Sequence, residues 1–280
     1  MLALVDGDVI TYASGFSSET KTYELKVGDE IHVFRYKKEV DEWIQNNLST
    51  EESYELEVVN TIPPVSHSLH NARQLLEKIL ERVGAKDYKI YLTGKNNFRD
   101  KVATIRGYKA HRDKLAKPVY YDEIKRYLID TWNAEVVDDM EADDAMAIKQ
   151  MEHYEALDDW TCICSIDKDL DQVPGWHYNW MRDDMYQIKL ADALRYYAKQ
   201  MLTGDSTDNI LGIPGIGPKK ADKILENVKD DDLIHVIQEQ YKNSFTEEFK
   251  KKHGVPEHMS WEDIFNETDL LIRIKWSLND

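Results

Sequence analysis

Acidic side chains stand in four short stretches of this chain: Asp6 and Asp8, then Glu141, Asp143 and Asp144, then Asp167 and Asp169, then Asp205 and Asp208. Carboxylates brought to one place repel one another unless cations hold them. All-oxygen donors suit a hard ion such as Mg²⁺ or Mn²⁺, and no Cys or His set accompanies them, which argues against zinc. Two such ions about 3.5 to 4 Å apart stabilise both the attacking and the leaving oxygen of a phosphodiester hydrolysis. The chemistry to expect is therefore metal-dependent cleavage of a phosphodiester. Taken singly, an acid is more simply a helix cap or a solvated side chain, most of all Asp8 and Asp171.

The last pair opens the segment GDSTDNILGIPGIGPKKADKIL, Gly204 to Leu225. Asp205 and Asp208 are three residues apart, so on one helical turn both would face the same side. Gly215, Ile216 and Gly217 read as a tight turn, and Pro218 suits the first turn of a following helix. Backbone N–H groups at such a helix start attract phosphate, and Lys219 and Lys220 add charge there that the helix dipole alone would not favour. A loop without ligand is the alternative reading, because a GxG pattern alone is weak.

A net charge of −17 at first opposes nucleic-acid binding. Its distribution reverses that judgement. Between Lys95 and Arg126 ten basic residues stand against four acidic ones, and among them Arg99, Arg106, Lys109, Arg112, Lys114 and Lys117 are candidates for phosphate contacts. Phe98, Tyr108, Tyr120 and Tyr121 are interleaved as stackers for bases or sugars. A solvated charged face is the competing role. His67 and His70 lack a third ligand nearby and read as surface or capping residues. The two cysteines, Cys162 and Cys164, read as reduced packing residues sharing one strand face. Charged residues make up 32% of the chain, mean hydropathy is −0.62, and no run has transmembrane length. A soluble, cytoplasmic monomer with no membrane association is expected.

The elements that must position these groups follow from periodicity. LALVDGDVI opens the chain as a buried strand that ends at Asp6 and Asp8. TYELKVGDEIHVFRY alternates around Gly28 and Asp29 as a hairpin at about 20–36, and residues from about Ser49 to Pro64 look irregular. Apolar residues from Leu69 to Val83 recur at helical spacing, with Gly84 as terminator. Strands are expected at 88–94, 134–137 and 162–166, and a helix at 141–153. This alternation predicts an α/β fold with a mainly parallel sheet and sites at the carboxyl ends of the strands. After Asp205 the chain reads as mostly helical.

The ordered motifs VDGD, FRDKVATIRGYKAHR, MEADDAMAI, SIDKDLD and GDSTDNILGIPGIGPKKA resemble the flap endonuclease and 5'-3' exonuclease family, its bacteriophage members in particular. The resemblance runs to about residue 228. It implies a PIN-like α/β core over 1–200 with a basic arch or gateway at about 95–126. A helix-three-turn-helix and helical C-terminal region would then occupy 201–280. It also implies two divalent cations, Mg²⁺ or Mn²⁺, held by Asp6, Glu141, Asp143, Asp144, Asp167, Asp169, Asp205 and Asp208. Lys109 and Arg112 match gateway residues that contact the scissile phosphate, and Gly215 and Gly217 match a hairpin whose carbonyls can hold K⁺ beside duplex phosphates. The implied partner is DNA with a free 5' end or 5' flap, in phage replication or recombination. The sequence departs from the pattern at Gly94, where the family usually carries an aspartate. Because of that departure a catalytically silent DNA-binding protein is the second reading, and a PIN-type ribonuclease the third.

Overall fold

The computed structural model describes residues 1–49, 52–111, 116–156 and 160–279. In chain order the elements are β1 (Leu2–Asp6), α1 (Gly7–Ser18), β2 (Thr20–Val27), β3 (Glu30–Phe34), α2 (Lys37–Asn47), β4 (Glu55–Thr61), α3 (Val65–Arg82), β5 (Asp87–Thr93), α4 (Phe98–Val102), α5 (Tyr121–Trp132) and β6 (Glu135–Val137). There follow α6 (Ala142–Ala156), β7 (Thr161–Cys164), β8 (Gly175–Asn179), β9 (Asp184–Ile188), α7 (Leu190–Thr203), β10 (Gly204–Asp205), β11 (Ile210–Leu211), α8 (Pro218–Leu225), α9 (Leu233–Ser244), α10 (Glu247–His253) and α11 (Trp261–Ile272). Two compact units emerge. The first contains Met1–Val9, Glu77–Ala116 and Leu128–Asp280, the second Ile10–Leu76 and Lys117–Tyr127.

The first unit is built on a six-stranded sheet of order β6-β5-β1-β7-β8-β9. All neighbours are parallel except β8 and β9. β1 and β7 are short apolar runs with almost every residue buried, as strands covered on both faces must be. Leu4 and Ile163 pack with Met146, Ala147 and Met151 of α6 and with Leu170 and Val173, so α6 lies on the sheet with its first turn at the acidic end. A second core joins Tyr197, Met201 and Leu202 of α7 to Ala221 and Leu225 of α8, Ile237 and Tyr241 of α9, and Ile264 of α11. Cys162 and Cys164 are buried and free, the packing role expected of them.

The antiparallel hairpin β8–β9 went unanticipated, because its turn is made by Asn179, whose Oδ1 accepts from the N–H groups of Met181 and Arg182, both at 3.1 Å, rather than by glycine. In the second unit the hairpin expected at 20–36 appears as β2 and β3. The stretch expected to be irregular instead supplies β4, paired antiparallel with β2 from Thr20↔Thr61 to Lys26↔Glu55. Glu55 and Glu57 alternate with Leu56 and Val58 only until Val59 breaks the pattern, so the strand periodicity is short. α2 covers this three-stranded sheet through Trp43, whose ring lies 4.2 Å from that of His32. Among the described residues no helix is long and apolar enough to cross a membrane.

One buried base sets a pH response. His177 on β8 is 3% exposed, its Nε2 lies 2.8 Å from the Val173 carbonyl, and burial pushes its pKa down to about 4. The unfolded chain therefore binds this proton at pH values where the folded chain does not, so the contribution is complete above about 6.5 and is lost as pH falls towards 4. The full span corresponds to about 3 kcal/mol. Urea unfolding of wild type and His177→Gln across this range should show a difference that grows with falling pH in the variant's favour. A pH-independent difference would contradict it.

Candidate active site

The carboxyl ends of β1 and β7 place Asp6 and Asp167 side by side. Asp6 is 3% exposed. Its Oδ1 accepts from the Val9 N–H at 3.0 Å and its Oδ2 from the Ser165 hydroxyl at 2.8 Å. The same Ser165 Oγ accepts from the Asp167 N–H at 3.0 Å, so one serine ties the two acids together. Sequence reading passed over it, although its place between β7 and an acid was a signal. Asp8, in the first turn of α1, accepts from the Thr93 N–H at 2.8 Å and so joins that helix to the end of β5.

The electrostatics of the site follow from this convergence. Burial, then Asp8, push the Asp6 carboxyl up to about 7, with Asp167 adding to the rise. Asp143 is held well above the usual carboxylate range by burial, then Asp6, Asp167 and Glu141, with Lys109 opposing. Asp169 is pushed up to about 7 by burial, then Asp167 and Asp205, with Asp208 adding to the rise. A cation placed among carboxyls that raise one another in this way would lower the repulsion. Among the described residues, however, no three Asp, Glu, His or Cys side chains converge tightly enough to hold a metal ion as they stand. The donor chemistry fits a hard divalent ion.

A cation of the protein's own lies at one edge. Lys109 Nζ is 2.5 Å from Glu141 Oε1 and 3.6 Å from Asp208 Oδ2, and its N–H donates to the Asp208 carbonyl at 2.9 Å. The Tyr108 hydroxyl is 3.0 Å from both Glu141 Oε2 and Asp208 Oδ2. Expected as a base stacker, Tyr108 is instead 8% exposed and holds two acids from separate elements. Asn97 Nδ2 completes the set by donating to Glu141 Oε1 at 3.0 Å.

Two members of the expected set have another task. Asp144 is fully buried, and Arg99 grips it with Nη1–Oδ2 2.5 Å and Nη2–Oδ1 2.9 Å. Arg99 also donates to the carbonyls of Leu271 and Arg273, while Asp144 reaches back to the Glu141 N–H at 3.1 Å, half of a capping box on α6. At 3% exposure Arg99 cannot serve DNA. It is a buried counter-charge, and Asp144 is thereby withdrawn from the acidic face.

Asp205 and Asp208 do not share a helical turn as expected. Asp205 ends β10, and its Oδ1 accepts from the N–H groups of Thr207 at 2.6 Å and Asp208 at 3.3 Å, closing a turn before β11. Both acids bear on Asp169, and Asp208 also meets Tyr108 and Lys109. The close crossing of β10 and β11 demands glycine on both sides: a Cβ on Gly204 would lie 2.2 Å from the Gly212 nitrogen, and one on Gly212 would lie 2.1 Å from the Thr203 carbonyl carbon.

The loop beyond is pinned by Ile210, Ile213 and Ile216, all buried in the α7–α8–α9 core, and by the Ile213 N–H, which donates to the Leu202 carbonyl at 2.9 Å. Arg106, Ser206, Asn209, Gly215, Gly217 and His253 line a cavity of about 490 Å³ there. Gly217 caps α8, Pro218 opens it, and Lys219 and Lys220 are exposed in its first turn. Lys117, in the other unit, is exposed with its ammonium 4.6 Å from the Tyr121 ring centroid. Arg112 and Lys114 lie outside the described residues. His67 and His70 are exposed.

The departure at Gly94 has a physical cause in the fold. A Cβ there would meet Asp138 Oδ1 at 2.3 Å and the Val137 carbonyl at 2.7 Å. Asp138, at the end of β6, fills the space and accepts from the Lys95 N–H at 2.7 Å. No side chain fits at 94 while Asp138 stays in place.

No family model matches the chain. A stretch of 105 residues is 40% identical to DNA polymerase I of Rhizobium leguminosarum, a match that takes in 34% of this chain and 10% of that protein. This chain thus spans about a tenth of the length of the curated relative it matches. Among solved structures it is similar to the bacteriophage T5 flap endonuclease in a pseudo-enzyme–product complex with DNA and metal ions. The TM-score is 0.57 at 18% identity, over 97% of this chain and 88% of that one. It is likewise similar to T5 5'-exonuclease with divalent zinc ions bound, with TM-score 0.56 at 18% identity over 97% and 88% of the two chains. The likeness is one of fold: this chain has the α/β architecture of the T5 nucleases, a mainly parallel sheet flanked by helices, and the resemblance to the bacteriophage members extends to tertiary structure.

Proposed function

We propose that the chain is a metal-dependent 5' nuclease of the flap endonuclease and 5'-3' exonuclease family, acting on DNA with a free 5' end or flap. The observation that carries this reading is the facing of Asp6, Asp143 and Asp167 at the sheet ends, with the Lys109 ammonium beside Glu141 and Asp208. Two Mg²⁺ or Mn²⁺ ions held by Asp6, Glu141, Asp143, Asp167, Asp169, Asp205 and Asp208 would polarise the phosphoryl oxygen and activate water. The hairpin ending at Gly217, with Lys219, Lys220 and Arg106, supports the phosphate backbone of the duplex, and by the family resemblance its carbonyls are the place for K⁺. Lys109 stabilises negative charge on the scissile phosphate. Tyr108 keeps Glu141 and Asp208 at fixed places, which holds that lysine between them. A role in phage replication accords with the T5 likeness.

The deciding experiment incubates the protein with 5'-labelled duplex, 5'-flap and RNA substrates, with Mg²⁺ or with EDTA. Release from 5'-ended DNA that EDTA abolishes is expected. A folded protein that cleaves nothing, yet binds flap DNA, would favour the silent binding reading, and preference for RNA the ribonuclease reading. Lys109→Ala should lower single-turnover cleavage about 10²-fold with DNA affinity little changed. An equal loss of affinity and rate would place Lys109 in ground-state binding instead. Replacing Lys219 and Lys220 together by Ala should lessen the slope of log K against log salt by about 2, because each phosphate contact releases close to one counterion. A slope unchanged by the double variant would remove them from the DNA interface.

A further inference from the structure

At the amino ends of β7 and β8, the end of the sheet opposite the acids, Gln150, His153, Tyr154, Trp160, Thr161, Gly175, Trp176 and Gln187 line a cavity of about 340 Å³. This is the size range of sites for small molecules. Its walls are aromatic. Trp160, 61% exposed, lies nearly parallel to Trp176, with ring centroids 5.9 Å apart and planes at 19°. The Trp160 carbonyl accepts from the Leu2 N–H at 2.8 Å, which anchors that residue to the start of β1. Tyr154 is also exposed.

The polar element is Gln150, fully buried on α6. Its Nε2 donates to the carbonyls of Pro174 at 3.1 Å and Trp176 at 3.3 Å, which fixes the amide orientation and rules out a flip. Oε1 then has no hydrogen-bond partner among the described residues. Gly175 leaves the amide its room, since a Cβ there would come within 2.6 Å of Nε2. A buried amide oxygen left unmatched costs about 1–3 kcal/mol, so the place calls for a donor. Among the described residues that line it none is Lys, Arg, Asp or Glu, so they offer no fixed charge to a phosphate. What matches is a flat, neutral ring that stacks on tryptophan and carries an N–H.

We propose that this pocket binds a nucleobase, stacked on the Trp160–Trp176 face with an N–H directed to the Gln150 amide oxygen. The base comes either from a free nucleoside or from an unpaired nucleotide of single-stranded DNA. The site is distinct from the acidic one and does not depend on the nuclease reading.

The test follows the indole N–H signals of the seven tryptophans by NMR while adenosine, guanosine, thymidine or purine riboside is added up to about 10 mM. Saturable shifts confined to Trp160 and Trp176 are expected, at least about tenfold weaker in Trp160→Ala and restored in part by Trp160→Phe. Purine riboside, which lacks the amino group of adenosine, should bind about tenfold more weakly. Competition by oligothymidylate assigns the base to single-stranded DNA, and its absence assigns it to free nucleosides. The proposal is overturned by any of three results: no saturable shift with any nucleoside, equal binding of adenosine and purine riboside, or the same shifts produced by protein concentration alone. The readout needs neither metal nor cleavage, so it stands or falls apart from the nuclease assay.

Discussion

Asp143→Asn should lower metal-dependent cleavage by at least about 10³-fold, since metal-assisted stabilisation of a phosphoryl transition state is worth several kcal/mol and each tenfold in rate is about 1.4. The same substitution should raise the melting temperature of the protein in EDTA. Asp143 sits where burial, then Asp6, Asp167 and Glu141, disfavour its charge and Lys109 opposes them only in part, so a neutral amide of the same shape relieves repulsion that a bound cation would otherwise offset. Opposite signs on activity and stability are the mark of a site kept at a cost to the fold. A variant less stable as well as inactive would make Asp143 a structural residue.

The same electrostatics predict how the metal-free protein responds to pH. Asp6 and Asp169, both pushed up to about 7, keep protons in the folded chain that the unfolded chain releases near pH 4. The folded state binds more protons between those values, so their contribution is present at low pH and is lost as pH rises through about 7. In EDTA the protein should melt higher at pH 5.5 than at pH 8, and Mg²⁺ should abolish or invert that order.

Arg99→Ala should destabilise the protein by about 3–5 kcal/mol, the usual consequence of leaving one partner of a buried ion pair alone. Its guanidinium neutralises Asp144 and satisfies the carbonyls of Leu271 and Arg273, so one side chain joins α4, the start of α6 and the end of α11. Urea unfolding measures the loss. Asp144 also fixes the Glu141 N–H, so cleavage should fall even under conditions where the variant remains folded. Changing both residues to apolar ones should recover much of the stability, because the desolvation cost of the pair disappears with it. Recovery of stability without activity would separate the two roles. A variant as stable as wild type would show that Arg99 is not the counter-charge the fold relies on.

Much of the architecture is legible in the sequence. β1 and β7 are short apolar runs with acids at or just beyond their ends, and β5 is a short run closed by Gly94, patterns that local periodicity and composition specify. α6 followed from EADDAMAI, and the glycine hairpin from GIPGIG followed by proline. What escaped was structure whose cause lies across the chain. β4 was hidden because its alternation of glutamates with apolar residues breaks at Val59, and the β8–β9 turn was hidden because asparagine replaced glycine as its organiser.

The sequence by itself picked out the candidates: Asp6, Glu141, Asp143, Asp144, Asp167, Asp169, Asp205 and Asp208 as acids and Lys109 as the basic residue among them, in an order that suggests a phosphate substrate. Charge type and spacing are local properties, readable one residue at a time. Only the tertiary structure decided which charges face each other. Arg99 meets Asp144 across 45 positions and Ser165 meets Asp6 across 159, pairings that exist because α4 lies against the start of α6 and β1 pairs with β7. The same packing turned Tyr108 inward, spent Asp144 on a buried counter-charge and put Asp138 where Gly94 leaves space. A carboxylate's role depends on the field around it, and that field is a sum over neighbours in space, which no spacing along the chain encodes.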